Sequence, residues 1–392
     1  MQGWQIACVL ILGFFSPCLC LRWNVETKNT FYNVMDYGAH GNGKFDDSRA
    51  FLRAWHDTCG AEGTTTLIIP KGKVFMVTSL ELKGPCEATR VRIQVQGEIV
   101  APTMDEWVGD RSHWIIISYV NSLTIDGGGH IEGHGSLWWQ KCRSCPRPGL
   151  LFFHACNDLS VSYLSLTNSP GYHMAINGCE RARFFHINVH APADSPNTDG
   201  FDISSSNNIV IEDSTIGTGD DCIAINGGCS YINATGIACG PGHGISIGSL
   251  GKNKGHETVE EIYVRNCTFD RTKNGARIKT WEGGSGYARK ITYEHITLIE
   301  ADNPIVIDQH YSALHLMANQ GVRVSDVTYR GFHGTSANDN AINLDCSSTG
   351  CFNLLLDQIN IISSKPGKKT HASCNNAHGR VENVNPNVSC IL

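Results

Sequence analysis

Four short polar blocks, set into apolar surroundings rich in Asn and Gly, recur along the chain at nearly even intervals. They are Ser195-Pro196-Asn197-Thr198-Asp199-Gly200, Gly217-Thr218-Gly219-Asp220-Asp221-Cys222, Cys239-Gly240-Pro241-Gly242-His243-Gly244 and Asn274-Gly275-Ala276-Arg277-Ile278-Lys279-Thr280. Asp199 lies 22 residues before Asp221, which lies 22 before His243. Neighbouring strands sit about 4.8 Å apart, so a chain that coils once per roughly 20 to 30 residues stacks these blocks above one another. Three carboxylates, an imidazole and a cationic pair would then share one face.

The rest of the sequence supports a coil of that length. From residue 65 onward it is a procession of short β-branched runs, at 65–69, 91–95, 114–117, 159–166, 184–189, 209–216, 262–269, 291–298, 322–329 and 354–362, many of them bounded by Asn, Gly, Asp or Pro. Beyond residue 159 corresponding runs start every ~23 to 33 residues, with one double-length gap between Ile209 and Ile262. This predicts an all-β right-handed parallel β-helix in which each coil buries its inward side chains against its neighbours. A β-propeller, with about 40 residues and four strands per blade, fits the spacing poorly. The pattern changes only between residues 38 and 59, where Asp46-Asp47-Ser48 supplies N-cap chemistry and Ala50, Phe51, Ala54, Trp55 and Cys59 recur at helical spacing. A short amphipathic helix is expected there, covering the open N-terminal end of the coil.

No linker or low-complexity stretch divides the chain, so residues 23–392 are read as one domain. Residues 1–20 carry no charged side chain and contain an apolar run at 6–15, followed by Pro17 and small residues at Cys18 and Cys20. That is the pattern of a secretory signal peptide cleaved near residues 20–22, and it is short for a membrane span. Its removal leaves 14 of the 17 cysteines, an even number suited to disulfides outside the cytosol. Cys142-Arg143-Ser144-Cys145 has the spacing of half a metal knuckle but no second pair, and a loop disulfide is the expectation. Asn233, Asn266 and Asn387 head glycosylation sequons; Asn266 lies inside an apparent strand, which argues against its use.

The four blocks, in this order, resemble the signature of the polygalacturonases, inverting glycoside hydrolases that cut the α-1,4-galacturonan backbone of pectin. The Asp220-Asp221 pair and Gly242-His243-Gly244-Ile245-Ser246-Ile247-Gly248-Ser249 are the most specific parts, and the likeness runs from about Tyr32 to the C-terminus in the manner of the plant branch. The resemblance implies a β-helix capped by a helix, a secreted monomer acting in the cell wall, and no cofactor or metal. It also implies that Cys222 pairs with Cys239, Cys346 with Cys351 and Cys374 with Cys390; Cys59 with Cys86 is preferred without close precedent.

Inverting hydrolysis requires a protonated acid beside the leaving oxygen and a carboxylate that activates water on the opposite side of the ring. Asp199, Asp220 and Asp221 suffice for both tasks, and crowding them raises at least one carboxyl pKa. The resemblance makes Asp220 the proton donor, with Asp199 and Asp221 holding the water, although adjacent residues of an ideal strand point to opposite faces and spacing alone does not separate Asp220 from Asp221. His243, between two glycines, would tune the acid. The whole chain has a formal charge of −6, yet residues 252–290 hold nine Lys and Arg against five Asp and Glu, a local basic stripe. Within it Arg277 and Lys279 flank Ile278, so a strand aims both cations to one side. The resemblance assigns them to the galacturonate carboxylate, and it assigns Tyr311 and Asn197 to substrate contact.

Rival functions fit less well. A calcium-dependent pectate lyase shares the β-helix and clusters aspartates, but has no evident need for Gly-His-Gly beside them. A rhamnogalacturonan hydrolase makes the Arg-Ile-Lys block less expected, and a non-catalytic wall-binding homologue would lack a carboxylate or His243. Secretion and the acidic balance argue against nucleic acid.

Overall fold

Inward-facing Ile, Val and Leu set the register of the whole chain. In the computed structural model, which describes residues 29–109, 111–311 and 321–391, Leu159, Ala182, Ile209, Ile232, Ile262, Ile291, Val327 and Leu354 stand one above another in successive parallel strands. All are buried. A one-residue slip would turn each of them outward, which fixes the pairing. The result is a parallel β-helix. One wall is an eleven-stranded sheet running from Leu80–Lys83 to His371–Asn375, and the remaining paired strands form a larger sheet that wraps the other sides. The proposed signal segment lies outside the described residues.

Two features of the coil differ from expectation. The double-length gap is filled by the strand Cys229–Thr235, whose alternation Ile232-Asn233-Ala234 keeps the inward period without a β-branched run. The runs at 159–166, 184–189 and 209–216, expected as single strands, are also broken in two, whereas those at 262–269, 291–298 and 354–362 are continuous. Leu159–Ser162 and Ser165–Thr167, for example, flank Tyr163 at φ 54°. Such corners form ladders: Asp158, Arg181, Asn208, Tyr231, Glu261, Lys290, Asp326 and Asn353 all adopt φ of 54–57° in successive coils. The left-handed conformation costs a residue with a side chain roughly 1–2 kcal/mol. Burial of the following ladder residue offsets this, and so do pairs between coils, such as Arg181 with Asp158 at 2.7 Å, Lys290 with Glu261 at 2.7 Å and Asn353 donating to Asp326 at 2.6 Å.

The expected helix spans Ser48–Gly60 and buries Ala50, Phe51, Ala54, Trp55 and Cys59 against the first coil. Its capping differs in detail. Asp46 accepts from the Ser48 amide at 3.0 Å, while Asp47 turns away to accept from the amides of His40 and Gly41 at 2.6 and 3.0 Å. Asp47 thereby ties down the turn that precedes the helix.

Among the described residues five disulfides form, at Cys59–Cys86, Cys142–Cys145, Cys222–Cys239, Cys346–Cys351 and Cys374–Cys390. The even count misleads, because Cys156, Cys179, Cys229 and Cys267 are buried free thiols. They occupy core positions as small apolar side chains. Asn266 lies within the strand His256–Asp270, as expected, but is exposed there, at φ 53°.

The contrast between corner and ladder is testable at two adjacent residues. Ile232→Ala should lower the unfolding free energy by about 2–5 kcal/mol, whereas Tyr231→Gly should leave it unchanged or raise it by up to about 1 kcal/mol. Denaturant titration of both variants checks this, and equal losses would contradict it.

Candidate active site

Each acidic or histidine block is a turn leading into a strand of the eleven-stranded wall. Ser195-to-Gly200 precedes Phe201–Ser204, Gly217-to-Cys222 precedes Ile223–Ile225, and Cys239-to-Gly244 precedes Ile245–Leu250. The turns stack through their main chains: the Gly200 amide donates to Asp221 O at 2.9 Å, His243 to Asp220 O at 2.7 Å and Cys222 to Gly244 O at 2.8 Å. The 22-residue interval is thus one coil. Glycine is required by the closeness of the layers. A Cβ on Gly219 would stand 2.0 Å from Ser195 O, and one on Gly244, at φ 87°, 2.3 Å from the carbonyl oxygens of Asn274 and Gly275.

On the wall itself, alternation sends one side chain in and the next out. Asp202, Ala224, Ser246 and Arg277 form one outward row across four coils. Arg277 and Lys279 project together from Asn274–Thr280, as expected. Their partner is internal: Arg277 Nη2 lies 2.6 Å from Asp221 Oδ1 and Lys279 Nζ 2.7 Å from Asp221 Oδ2. Ser246 Oγ donates to Asp221 Oδ1 at 2.9 Å and accepts from Arg277 Nε at 2.9 Å. The Asp221 side chain is 0% exposed, those of Arg277 and Lys279 10% and 9%. The wider basic stripe is also largely spent on cross-coil and local pairs, such as Arg289 with Glu260, Lys290 with Glu261 and Arg271 with Asp270.

Asp220 occupies a different environment from Asp221. Its Oδ1 is 2.8 Å from His243 Nδ1 and accepts from the Asp221 amide at 2.9 Å, and its Oδ2 accepts from Asn197 Nδ2 at 3.3 Å. Burial works against the ionised carboxyl. The hydrogen bond and charge of His243, followed by the charge of Lys279 and the Asp221 amide, outweigh that and hold Asp220 below the ordinary carboxylate range. The carboxyls that crowding does raise are others. Asp199 is pushed well up by burial and then by Asp202, Asp220 and Asp221. Asp202 is raised to about 7 by burial and by Asp221, against the lowering effects of Lys279 and a hydrogen bond from Asn226.

Tyr311 joins the same constellation: Lys279 Nζ lies 5.4 Å from its ring centre, and Trp281 packs edge-on at 5.8 Å. All eight residues singled out from the sequence therefore fall in or beside one cluster. Asp202, Ser246 and Asn226 were missed. Asp202 was discoverable, because Phe201-Asp202-Ile203 alternates apolar, acidic, apolar directly after the first block.

Asp220, Asp221 and His243 also present donor atoms within 4.8 Å of one another, a set that could hold a metal ion. Both Asp221 oxygens are, however, taken by Arg277, Ser246 and Lys279. A metal cation would have to enter against two fixed positive charges.

A solenoid wall carrying several carboxyls of unequal acidity beside an imidazole and two cations defines a class, the parallel β-helix enzymes of acidic polysaccharides. The chain belongs to glycosyl hydrolases family 28, which it matches over residues 59–390. It is 43% identical to a probable polygalacturonase of Arabidopsis thaliana, over 94% of this chain and 82% of that one. It is 40% identical to an exopolygalacturonase of Zea mays, over 92% and 90%. Among solved structures, the endo-xylogalacturonan hydrolase of Aspergillus tubingensis superposes with a TM-score of 0.80 at 26% identity, covering 88% of this chain and 96% of that one. The polygalacturonase of Erwinia carotovora shares the fold with a TM-score of 0.70 at 20% identity, over 90% and 96%.

The raised Asp202 yields a stability test. Its folded-state value of about 7 exceeds the unfolded carboxylate value, so folding takes up a proton between the two and stability is lost as pH rises through that window. Asp202→Asn removes this dependence. The variant should melt at least a few degrees above wild type at pH 8 and close to it at pH 4; identical differences at both pH values would contradict the assignment.

Proposed function

We propose that the protein is a secreted polygalacturonase that hydrolyses α-1,4-galacturonosyl linkages of pectin with inversion, acting as a single β-helix domain and a monomer in the cell wall. The observation that carries this reading is the division of labour between adjacent aspartates. Asp221 is the anion of two buried ion pairs, suited to holding and activating water together with Asp199. Asp220, hydrogen-bonded to His243 and 19% exposed where Asp221 is sealed, is the proton donor. Five disulfides and the plant relatives support an extracellular setting.

Proton placement follows from charge. In the free site the carboxyls that favour the neutral form are Asp199 and Asp202, and Asp220 favours the anion. A uronate carboxylate docking on Arg277 and Lys279, with Tyr311 and Asn197 beside it, adds negative charge and excludes water. Both effects raise the pKa of Asp220. Uptake of a proton by Asp220 from solvent as the substrate docks converts the resting site into an acid facing the ionised Asp221, which activates the water beside Asp199.

Three outcomes check the reading. Asp220→Asn should lower kcat by at least about a hundredfold with melting behaviour retained; near-full activity would remove Asp220 from the acid role. The new reducing end should appear first as the β-anomer, because a single displacement inverts the α-linkage, and proton NMR in the first minutes of reaction distinguishes this from initial α-anomer. Arg277→Gln and Lys279→Met should each raise KM for polygalacturonate roughly tenfold and narrow the preference over the fully methyl-esterified polymer. An unchanged preference in both variants would make these cations purely structural.

A further inference from the structure

Arg147 lies 50 residues before Asn197 and outside the four blocks, in the segment that follows the Cys142–Cys145 disulfide. Its side chain spends all five N–H donors. Nε donates to Pro170 O at 2.9 Å, Nη1 to Cys142 O at 2.9 Å and also to Arg143 O, and Nη2 to Pro196 O at 2.9 Å and to Asn197 Oδ1 at 2.9 Å. Four of these acceptors are main-chain carbonyls, and no carboxylate pairs with it among the described residues. A half-buried cation saturated by neutral acceptors is not explained by ion pairing.

The fifth acceptor leads to the chemistry. Asn197 sits at φ 52° and is otherwise exposed, so its amide has little packing to fix which end faces the site. Only the NH2 end assists a carboxylate; the oxygen end repels one. Because the guanidinium supplies donors alone, it takes Oδ1 and leaves Nδ2 toward Asp220 Oδ2, at 3.3 Å. We infer that Arg147 is a positioning residue: through Asn197 it holds a hydrogen-bond donor on Asp220 and thereby stabilises the carboxylate that forms as Asp220 gives its proton to the leaving oxygen. The inference rests on the reading of Asp220 as the acid. It requires a fork that can grip the amide and the neighbouring main chain together, which a lysine does not provide.

A double-mutant cycle on the polygalacturonase reaction tests it. Arg147→Met and Asn197→Ala should each lower kcat roughly tenfold, with KM changed less than about twofold in Arg147→Met, and the kcat of the double variant should be no worse than that of the poorer single one by more than about twofold. In both single variants the basic limb of the pH–kcat profile should move to higher pH. Loss of a donor to the ionised form weakens the acid, and a loosened loop alone would not move that limb. Effects that multiply in the double variant, or unmoved limbs, would overturn the proposal. If Arg147→Met fails to fold, Asn197→Asp decides. It keeps an oxygen for Arg147 and removes the donor to Asp220, so it should show the same loss of kcat and the same upward shift, and wild-type behaviour would overturn the proposal. Failure of the underlying reading is separately visible, since Asp220→Asn would then stay active whatever the cycle shows.

Discussion

The buried Asp221 carboxylate, gripped by Arg277 and Lys279 from two coils further on, is the interaction on which the site depends. Three charges with side chains at most one-tenth exposed survive together because each satisfies the others, and removing one would leave an uncompensated charge in a poorly solvated place. The pairing also makes the polar face part of the wall. Asp221 at the end of one turn, Ser246 on the next strand and Arg277 on the one after it are linked by bonds of 2.6–2.9 Å across the coils. Hydrophobic ladders fix the register from inside, and this network fixes it from outside.

The same interaction decides how the other carboxyls behave. With Asp221 claiming both cations, Asp199 and Asp202 face burial with little compensation and favour the neutral form, whereas Asp220 draws on His243 and remains an anion. Four crowded carboxyls in one cluster would otherwise repel a polyanionic substrate. Two that favour the neutral form reduce that penalty. The cations remain close enough to the surface for a uronate to share them, and the Tyr311 ring lies beside Lys279, its centre 5.4 Å from Nζ.

Much of this was legible in the sequence, for a physical reason. A coil of nearly constant length converts spacing along the chain into stacking in space, so Asp199, Asp221 and His243 at intervals of 22 had to be neighbours. The alternation Arg277-Ile278-Lys279 gave the direction of the cations in the same way. What spacing does not carry is partner choice. Arg277 and Lys279 were read as waiting for substrate, but an internal carboxylate is always present and wins in the free protein. Cysteine parity failed for a related reason: Cys156, Cys179, Cys229 and Cys267 are inward residues whose pattern is that of apolar side chains. The corners at Tyr163 and Tyr231 were invisible because Tyr is not a residue that announces a left-handed turn. Arg147 offers no motif at all, since its role depends on a loop folding back over 50 residues.

The central claim is that the free site holds Asp220 as an anion and that a bound uronate converts it to the acid. Carbon-13 NMR of protein labelled at the aspartate carboxyl carbons, with the Asp220 signal assigned by its loss in Asp220→Asn, addresses this directly at mildly acid pH. The account predicts a carboxylate shift for Asp220 in the free protein and a carboxylic-acid shift when a galacturonate disaccharide saturates the site. An Asp220 signal that is already that of the acid in the free protein, or one that stays that of the carboxylate when the disaccharide is bound, would contradict it.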